Sequence, residues 1–263
     1  MFDCQALRAR LGAQWPDVEI RALGSVSSTN DIAWAWAEAG CPEWTCFFAE
    51  EQVRGRGRFG RAWHSPRGRG LLMSVVLRPA SPLLEPAGLT AIAALAVAEA
   101  IEDVAGLPAG LDWPNDVVVG GKKVAGILVE RRGEGTSPCV LGIGVNVNTR
   151  PEEFGAELRP LATSLAAEAG REFSREDVAA AILGRLHSRY RRLAEGGRSE
   201  VAAEWVRRCG LLGLEASVRV DGARFRGTIV GLDPLDGIEL ELAGGLRRKF
   251  PPGRATLEVE GRR

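Results

Sequence analysis

Histidine is nearly absent from this chain: His64 and His187 are its only two in 263 residues. Cysteine offers little more. The five thiols, at 4, 41, 46, 139 and 209, are odd in number and irregularly spaced. Cys41 and Cys46 stand close enough in sequence to share a metal, but no second pair completes a site, so no zinc pattern forms. All five read as reduced thiols of a cytoplasmic protein. Net charge is missing too, with 34 basic side chains against 34 acidic ones. That balance argues against a general binder of nucleic acid or of a membrane surface. The N-terminus, MFDCQALRAR, has no apolar run of signal-peptide length, and no segment is long and apolar enough to span a bilayer. Internal repeats and low-complexity tracts are lacking as well.

What the chain does have is material for a core. Hydrophobic residues make up 45% of it, and its length suits one large domain, or one with a small companion. Ser27 to Asn30 offers N-cap side chains for a helix carrying Ile32, Ala35, Trp36 and Ala39, closed by Gly40. Thr45–Ala49 and Leu71–Leu77 read as buried strands. Pro86 opens a long helix whose apolar residues run from Leu89 to Val104 and which ends by Gly106. Val117–Val119 and Val124–Glu130 flank Gly120-Gly121, a hairpin signal, and Cys139–Val147 is a further strand. Ser174 with Asp177 resembles a capping box, opening a helix with Val178, Ile182, Leu186, Tyr190 and Leu193 on one face. A last helix over 198–208 carries Val201, Trp205 and Val206. From Glu215 onward, short alternating strands recur between Gly-containing turns, the pattern of a small β-barrel. The expected division is therefore 1–212 and 213–263.

One stretch stands out against the neutral whole. Between Arg54 and Arg69 lie six arginines, four glycines and no carboxylate. Alternating Gly and Arg lets backbone amides and guanidinium forks close on one anion. Such tracts also occur as flexible RNA-binding segments. Here, however, buried strands flank the tract on both sides, so it is a loop set on a scaffold. Four more motifs fall at element ends. Ser28-Thr29-Asn30 starts a helix, where amides and the dipole favour an anion or a polar edge, or simply cap the helix. Trp113-Pro-Asn-Asp116 is a turn with two side-chain acceptors. Lys122-Lys123-Val-Ala-Gly126 puts an ammonium at a strand start, and Gly142-Ile-Gly-Val-Asn-Val-Asn148 ends a strand in two amides. Each has a plain structural reading by itself.

In combination and order, these motifs resemble the biotin–protein ligases, closely from about Ser25 to Asn148 and more loosely beyond. The resemblance implies an α+β fold: a central mixed sheet with flanking helices, of the class II synthetase-like biotin–lipoate ligase type, plus a small C-terminal SH3-like β-barrel. It implies that ATP and biotin form biotinyl-5′-adenylate, and that the lysine of a biotin carboxyl carrier protein then takes the biotin. Mg²⁺ is expected on the phosphates, its protein ligands unassigned. By the same resemblance, Ser28, Thr29, Asn30, Gln52, Gly55, Arg56, Gly57, Arg58 and Lys123 contact biotin. Arg56, Arg58, Trp63, Asn115, Asp116 and Asn146 meet the nucleotide, and Arg58 and Lys123 are the catalytic pair. No DNA or membrane partner is expected, and the state is monomer or homodimer.

The chain departs from the family at Asp112, where lysine usually precedes Trp-Pro-Asn-Asp. Either Asp112 points away, or Lys122, Lys123 or Arg69 compensates, or efficiency falls. Some members carry an N-terminal DNA-binding module and act as repressors. About two dozen residues precede the Ser27 cap here, too few for such a module, so no repressor role is expected. Two rivals stand beside the main reading: a lipoate- or octanoate-transferring relative, and a non-catalytic Arg/Gly-loop RNA binder. The second is opposed by the neutral charge and the lack of aromatic clusters for bases.

Overall fold

The computed structural model describes residues 1–12, 15, 18–133, 137–253 and 255–259. Its larger sheet has seven strands in the order β1-β2-β3-β7-β6-β5-β4. These are β1 Ile20–Val26, β2 Cys46–Gln52, β3 Leu71–Leu77, β4 Ala109–Asp112, β5 Asp116–Val119, β6 Lys122–Arg131 and β7 Cys139–Val145. Only β1 and β2 run parallel; the other neighbours are antiparallel, so the sheet is mixed as expected. Parallel strands need a crossover, and helix α2, Thr29–Glu38, supplies it. Ser28 caps α2 by accepting the Asn30 amide at 3.2 Å. Gly120 and Gly121 join β5 to β6 with φ of 57° and 77°, the left-handed pair that a two-residue hairpin turn requires.

Helix α3, Pro86–Ala105, is buried on nearly every side, and Gly106 ends it at φ 68°. A helix that is apolar all round belongs inside a core. It lies between the sheet and helix α5, Arg175–Ala194, whose buried face carries Val178, Ile182, Leu186, Tyr190 and Leu193. The Ser174 hydroxyl accepts the Asp177 amide at 3.1 Å, the cap read from the sequence. Helix α6, Arg198–Cys209, sets Trp205 edge-on to Trp113 with ring centroids 5.8 Å apart. This contact seats the Trp113–Asp116 turn firmly on the helical layer.

The second sheet is antiparallel in the order β11-β10-β9-β8-β12. It comprises β8 Glu215–Val220, β9 Ala223–Asp233, β10 Gly237–Leu242, β11 Arg247–Phe250 and β12 Thr256–Val259. Residues 254 and 260–263 of the expected C-terminal unit lie outside the described residues.

Several expectations need adjusting. The buried face of α2 is Thr29, Asn30, Ala33, Trp34 and Ala37, while Ala35, Trp36 and Ala39 are exposed. The sequence offers tryptophan at both 34 and 36, so periodicity alone does not choose between the faces. The burial of Thr29 and Asn30 toward the sheet decides it. Val206 is only half-buried. Helices α1, Cys4–Leu11, and α4, Leu165–Ala169, and strands β1 and β4 carry too few apolar residues, or are too short, to announce themselves. All five cysteines are free. Among the described residues no trio of His, Cys, Asp or Glu could hold a metal, and no helix is long and apolar enough to cross a membrane.

Leu186 is fully buried between α5 and α3. Replacement by alanine leaves a cavity that rigid neighbours fill poorly, so Leu186→Ala should lower unfolding free energy by about 2–5 kcal/mol in urea denaturation. An unchanged midpoint would place this helix outside the core.

Candidate functional site

The floor of the site is sheet from which side chains have been removed. A Cβ added at Gly142 would sit 2.4 Å from Asn30 Oδ1, and one at Gly144 would sit 2.5 Å from the Trp63 ring. One at Gly126 would come within 3.1 Å of the same ring. These three glycines therefore let Asn30 and Trp63 lie flat against β6 and β7. The resulting cavity, of about 460 Å³, opens above them.

One wall is the start of α2. Gln52 Oε1 accepts both the Thr29 amide, at 2.7 Å, and the Thr29 hydroxyl, at 2.9 Å. Ser74 Oγ stands 2.7 Å from Thr29 Oγ1 and 2.6 Å from Asn30 Oδ1, able to donate its single proton to one of them. The Asn30 amide nitrogen donates to Glu130 at 2.7 Å. These side chains are fixed by one another, so the wall is polar and rigid.

The roof is the arginine loop. It folds back through an Arg56–Ala62 bridge, the Gly57 amide donating to Arg61 O at 2.7 Å and the Trp63 amide to Gly55 O at 2.9 Å. Phe59 takes a left-handed φ of 56° at the tip. Arg56 forks onto Asp31, at 2.6 and 3.0 Å, with Glu130 at 3.7 Å behind it. Hydrogen bonding to Arg56 holds the Asp31 carboxyl below the usual carboxylate range, and hydrogen bonding to Asp31 raises the Arg56 guanidinium in return. Arg58 differs. It donates to two neutral oxygens, Asn115 Oδ1 at 3.2 Å and Pro252 O at 2.5 Å, and stacks on Phe59 at 4.7 Å. Burial pushes its guanidinium below its ordinary value, and Asp116 only partly offsets this. Among the described residues it forms no ion pair.

The far wall is the turn between β4 and β5. Lys123 Nζ pairs with Asp116 Oδ2 at 2.7 Å and lies 5.5 Å from the Trp63 ring centre. Asp116 Oδ1 is buried without a hydrogen-bond partner among the described residues. Asn115 is held by donating to Ile127 O at 2.8 Å. Ala255, just before β12, and Thr256 and Leu257 of the second sheet complete the lining.

Most residues singled out from sequence thus converge. Ser28, Thr29, Asn30, Gln52, Arg56, Gly57, Arg58, Trp63, Asn115, Asp116 and Lys123 all line the cavity. Gly55 does not; its Cβ position is closed by Trp63 O at 2.4 Å, so it shapes the loop. Asn146 does not either. It is buried just past the end of β7, donating to Thr163 O at 3.0 Å. Asp112 lines the cavity, with its carboxylate accepting the Trp113 amide at 3.0 Å. Of its candidate compensators, Arg69 is paired with Glu153 and Glu172, Lys122 is exposed, and neither lines the cavity. Sequence reasoning missed Ser74, Asp31 and Glu130. Ser74 had a signal: it is the lone polar residue in the apolar run Leu71–Leu77.

A family model described as Biotin/lipoate A/B protein ligase family matches residues 23–148. The bifunctional ligase/repressor BirA of Bacillus subtilis is 37% identical over 227 residues, covering 86% of this chain and 70% of that protein. The biotin--[acetyl-CoA-carboxylase] ligase of Mycobacterium tuberculosis is 31% identical over 270 residues, covering 99% of this chain and 91% of its own. Among solved structures, the Aquifex aeolicus biotin protein ligase in complex with biotin and ATP superposes with a TM-score of 0.78 at 28% identity, over 92% of this chain and 99% of that one. The Leishmania major biotin protein ligase with biotinyl-5-AMP gives 0.64 at 25% identity, over 88% and 98%.

The Asp31–Arg56 pair pins the loop to α2. A carboxyl held below its usual range contributes above that range and is lost only as pH falls through the lowered value. At neutral pH, substitution and not titration is the way to break it. Asp31→Asn should speed tryptic cleavage at the loop arginines by about two- to fivefold, matching the ~1 kcal/mol ceiling of a half-exposed pair. Cleavage at the parental rate would mean that the loop is held by other contacts.

Proposed function

The chain belongs to the Biotin/lipoate A/B protein ligase family, and from that membership we propose that it is a biotin–protein ligase: it activates biotin with ATP and transfers it to a lysine of a biotin carboxyl carrier protein. The observation that carries the reading is Arg58. A half-buried guanidinium bonded to neutral oxygens, its charge only partly offset by Asp116, lines the cavity. That suits an anion held away from water.

The first step brings two anions together. A biotin carboxylate oxygen attacks the α-phosphorus, the new O–P bond forms, and the bond to the β-phosphate oxygen breaks to release pyrophosphate. Of the four lining cations, Arg56 and Lys123 are paired with Asp31 and Asp116, which leaves Arg58 and Arg61 without an ion pair among the described residues as a positive surplus. That surplus cancels the repulsion before attack, and the fixed geometry turns a two-body encounter into a positioned one. The Thr29–Gln52 pair offers hydroxyl and amide groups for the ureido head, and Trp63 offers a flat face for a ring. In the second step the lysine amine attacks the acyl carbon and AMP leaves.

Mg²⁺ fits as an ion carried on the phosphates. It commonly keeps waters and takes one or two carboxylates. Asp112 and Asp116 are the cavity carboxylates, and Asp116 has an unused buried oxygen. Mg²⁺ bound there would neutralise phosphate charge. A cytoplasmic setting suits the five free cysteines. Biotin is favoured over lipoate or octanoate because relatives above 30% identity carry biotin-ligase names. The RNA-binding reading is opposed by the family membership.

Biotin-dependent exchange of pyrophosphate into ATP tests the reading. Exchange driven by octanoate or lipoate and not by biotin would replace it with the sister activity. Arg58→Gly should release preformed adenylate roughly ten- to a hundredfold faster, the ~1.5–3 kcal/mol of a charged hydrogen bond. Retention equal to the parent would remove Arg58 from that role.

A further inference from the structure

A second cavity, of about 210 Å³, lies against the first and shares Arg58, Pro114, Asn115, Ile127 and Leu128 with it. The Arg58–Asn115 hydrogen bond, 3.2 Å, stands in the common wall. Away from that wall the lining is Pro86, Ala87, Thr90, Val129, Pro234 and Pro252. These walls are aliphatic, and proline has no N–H to offer. The Thr90 hydroxyl is turned back onto Pro86 O at 2.7 Å. A phosphate or a base edge would therefore lose its water here and find few partners. Half-exposed Pro86 and Ala87 and exposed Gly253 set the mouth between the start of α3 and the 252–253 turn. Glu85, exposed just before Pro86, adds a carboxylate beside that rim.

Resting on the biotin-ligase reading, we infer that this second cavity is the passage through which the acceptor lysine side chain reaches the acyl-adenylate. The match is chemical. A lysine stem is four methylenes with a polar head, and an aliphatic channel buries the stem favourably. The head must be neutral to attack. Desolvation and a neighbouring cation both favour the neutral amine, the two devices by which nucleophilic lysines are activated. This cavity has both: apolar walls along its length and Arg58 at its inner end. The ammonium gives a proton to water at the mouth. The amine lone pair then attacks the acyl carbon, the C–N bond forms, and the C–O bond to the phosphate breaks. AMP keeps that electron pair, and the second nitrogen proton passes to the departing phosphate.

Ala87 and Val129 line the second cavity and not the first. Ala87 sits in the first turn of α3 and is half-exposed, so a larger side chain is accommodated without disturbing the core. Ala87→Trp and Val129→Trp fill the channel. Three rates are read for each in the full-length protein: biotin-dependent ATP–pyrophosphate exchange, single-turnover transfer from preformed adenylate to a biotin carboxyl carrier domain, and discharge of that adenylate by hydroxylamine. Hydroxylamine is small enough to arrive through the mouth of the first cavity. Exchange and hydroxylamine discharge should stay within about twofold of the parent, while carrier biotinylation falls by about a hundredfold, the scale of loss when a reacting group is held out of place. Carrier transfer at the parental rate in both variants overturns the passage. Equal loss in all three assays overturns it too, assigning the cavity to adenylate formation. Absence of biotin-dependent exchange in the unsubstituted protein would instead remove the ligase reading itself.

Discussion

The site depends on bare backbone. At residues 126, 142 and 144 the sheet presents glycine; a larger residue at 142 or 144 would collide with Asn30 or Trp63, and one at 126 would crowd Trp63 and Lys123. Central strands usually avoid glycine, which lowers strand propensity and packs nothing. Here the missing side chains form the space itself. Trp63 can lie on the sheet, the loop that carries it can fold back over the cavity, and Asn30 can reach between Ser74 and Glu130. The surrounding core makes this tolerable. Helix α3 is buried along nearly its whole length on the opposite side of the site, so the sheet is held from behind.

The lining cations divide into those already engaged and those that are not. Arg56 is bound to Asp31 and Lys123 to Asp116, so each brings its own counter-ion. Neither pair is fully buried, and such pairs contribute little stability. Their effect is geometric: they orient a loop and a strand end. Arg58 sits in the drier position and bonds to carbonyl oxygens from two different parts of the chain, Asn115 and Pro252. A cation left this way is costly in the absence of an anion. The Pro252 contact also ties the second sheet to the loop, so this sheet takes part in the site as well as adjoining it.

Much of this was legible in the sequence because local rules and the global fold agree. Pro86, Gly106, Ser28, Ser174 and Gly120-Gly121 each marked an element end for a reason the backbone enforces, and each stands at such an end. The motif residues also converge, apart from Gly55 and Asn146. What stayed hidden is of a different kind. The two faces of α2 carry similar residues, so periodicity could not orient it, and the burial of Thr29 and Asn30 is a tertiary fact. Asp31 and Glu130 are ordinary surface-type residues until a loop some 25 positions from Asp31 brings Arg56 to both. The role of Gly142 and Gly144 could be seen only once Asn30 and Trp63 were placed above them.

Asp112 shows how the same charges can be redistributed. The β4–β5 register sets it directly opposite Asp116, and like charges across strands oppose each other. Each carboxylate has its own relief: the Trp113 amide for Asp112, at 3.0 Å, and Lys123 for Asp116, at 2.7 Å. A lysine at 112, as the resemblance expects, would have relieved Asp116 directly and left Lys123 freer to meet a phosphate. With aspartate there, part of the Lys123 charge is spent on Asp116. Two lining cations, Arg58 and Arg61, still carry no ion pair among the described residues. The burden of holding an anion moves toward Arg58 and Arg61, the lining cations with no ion pair among the described residues.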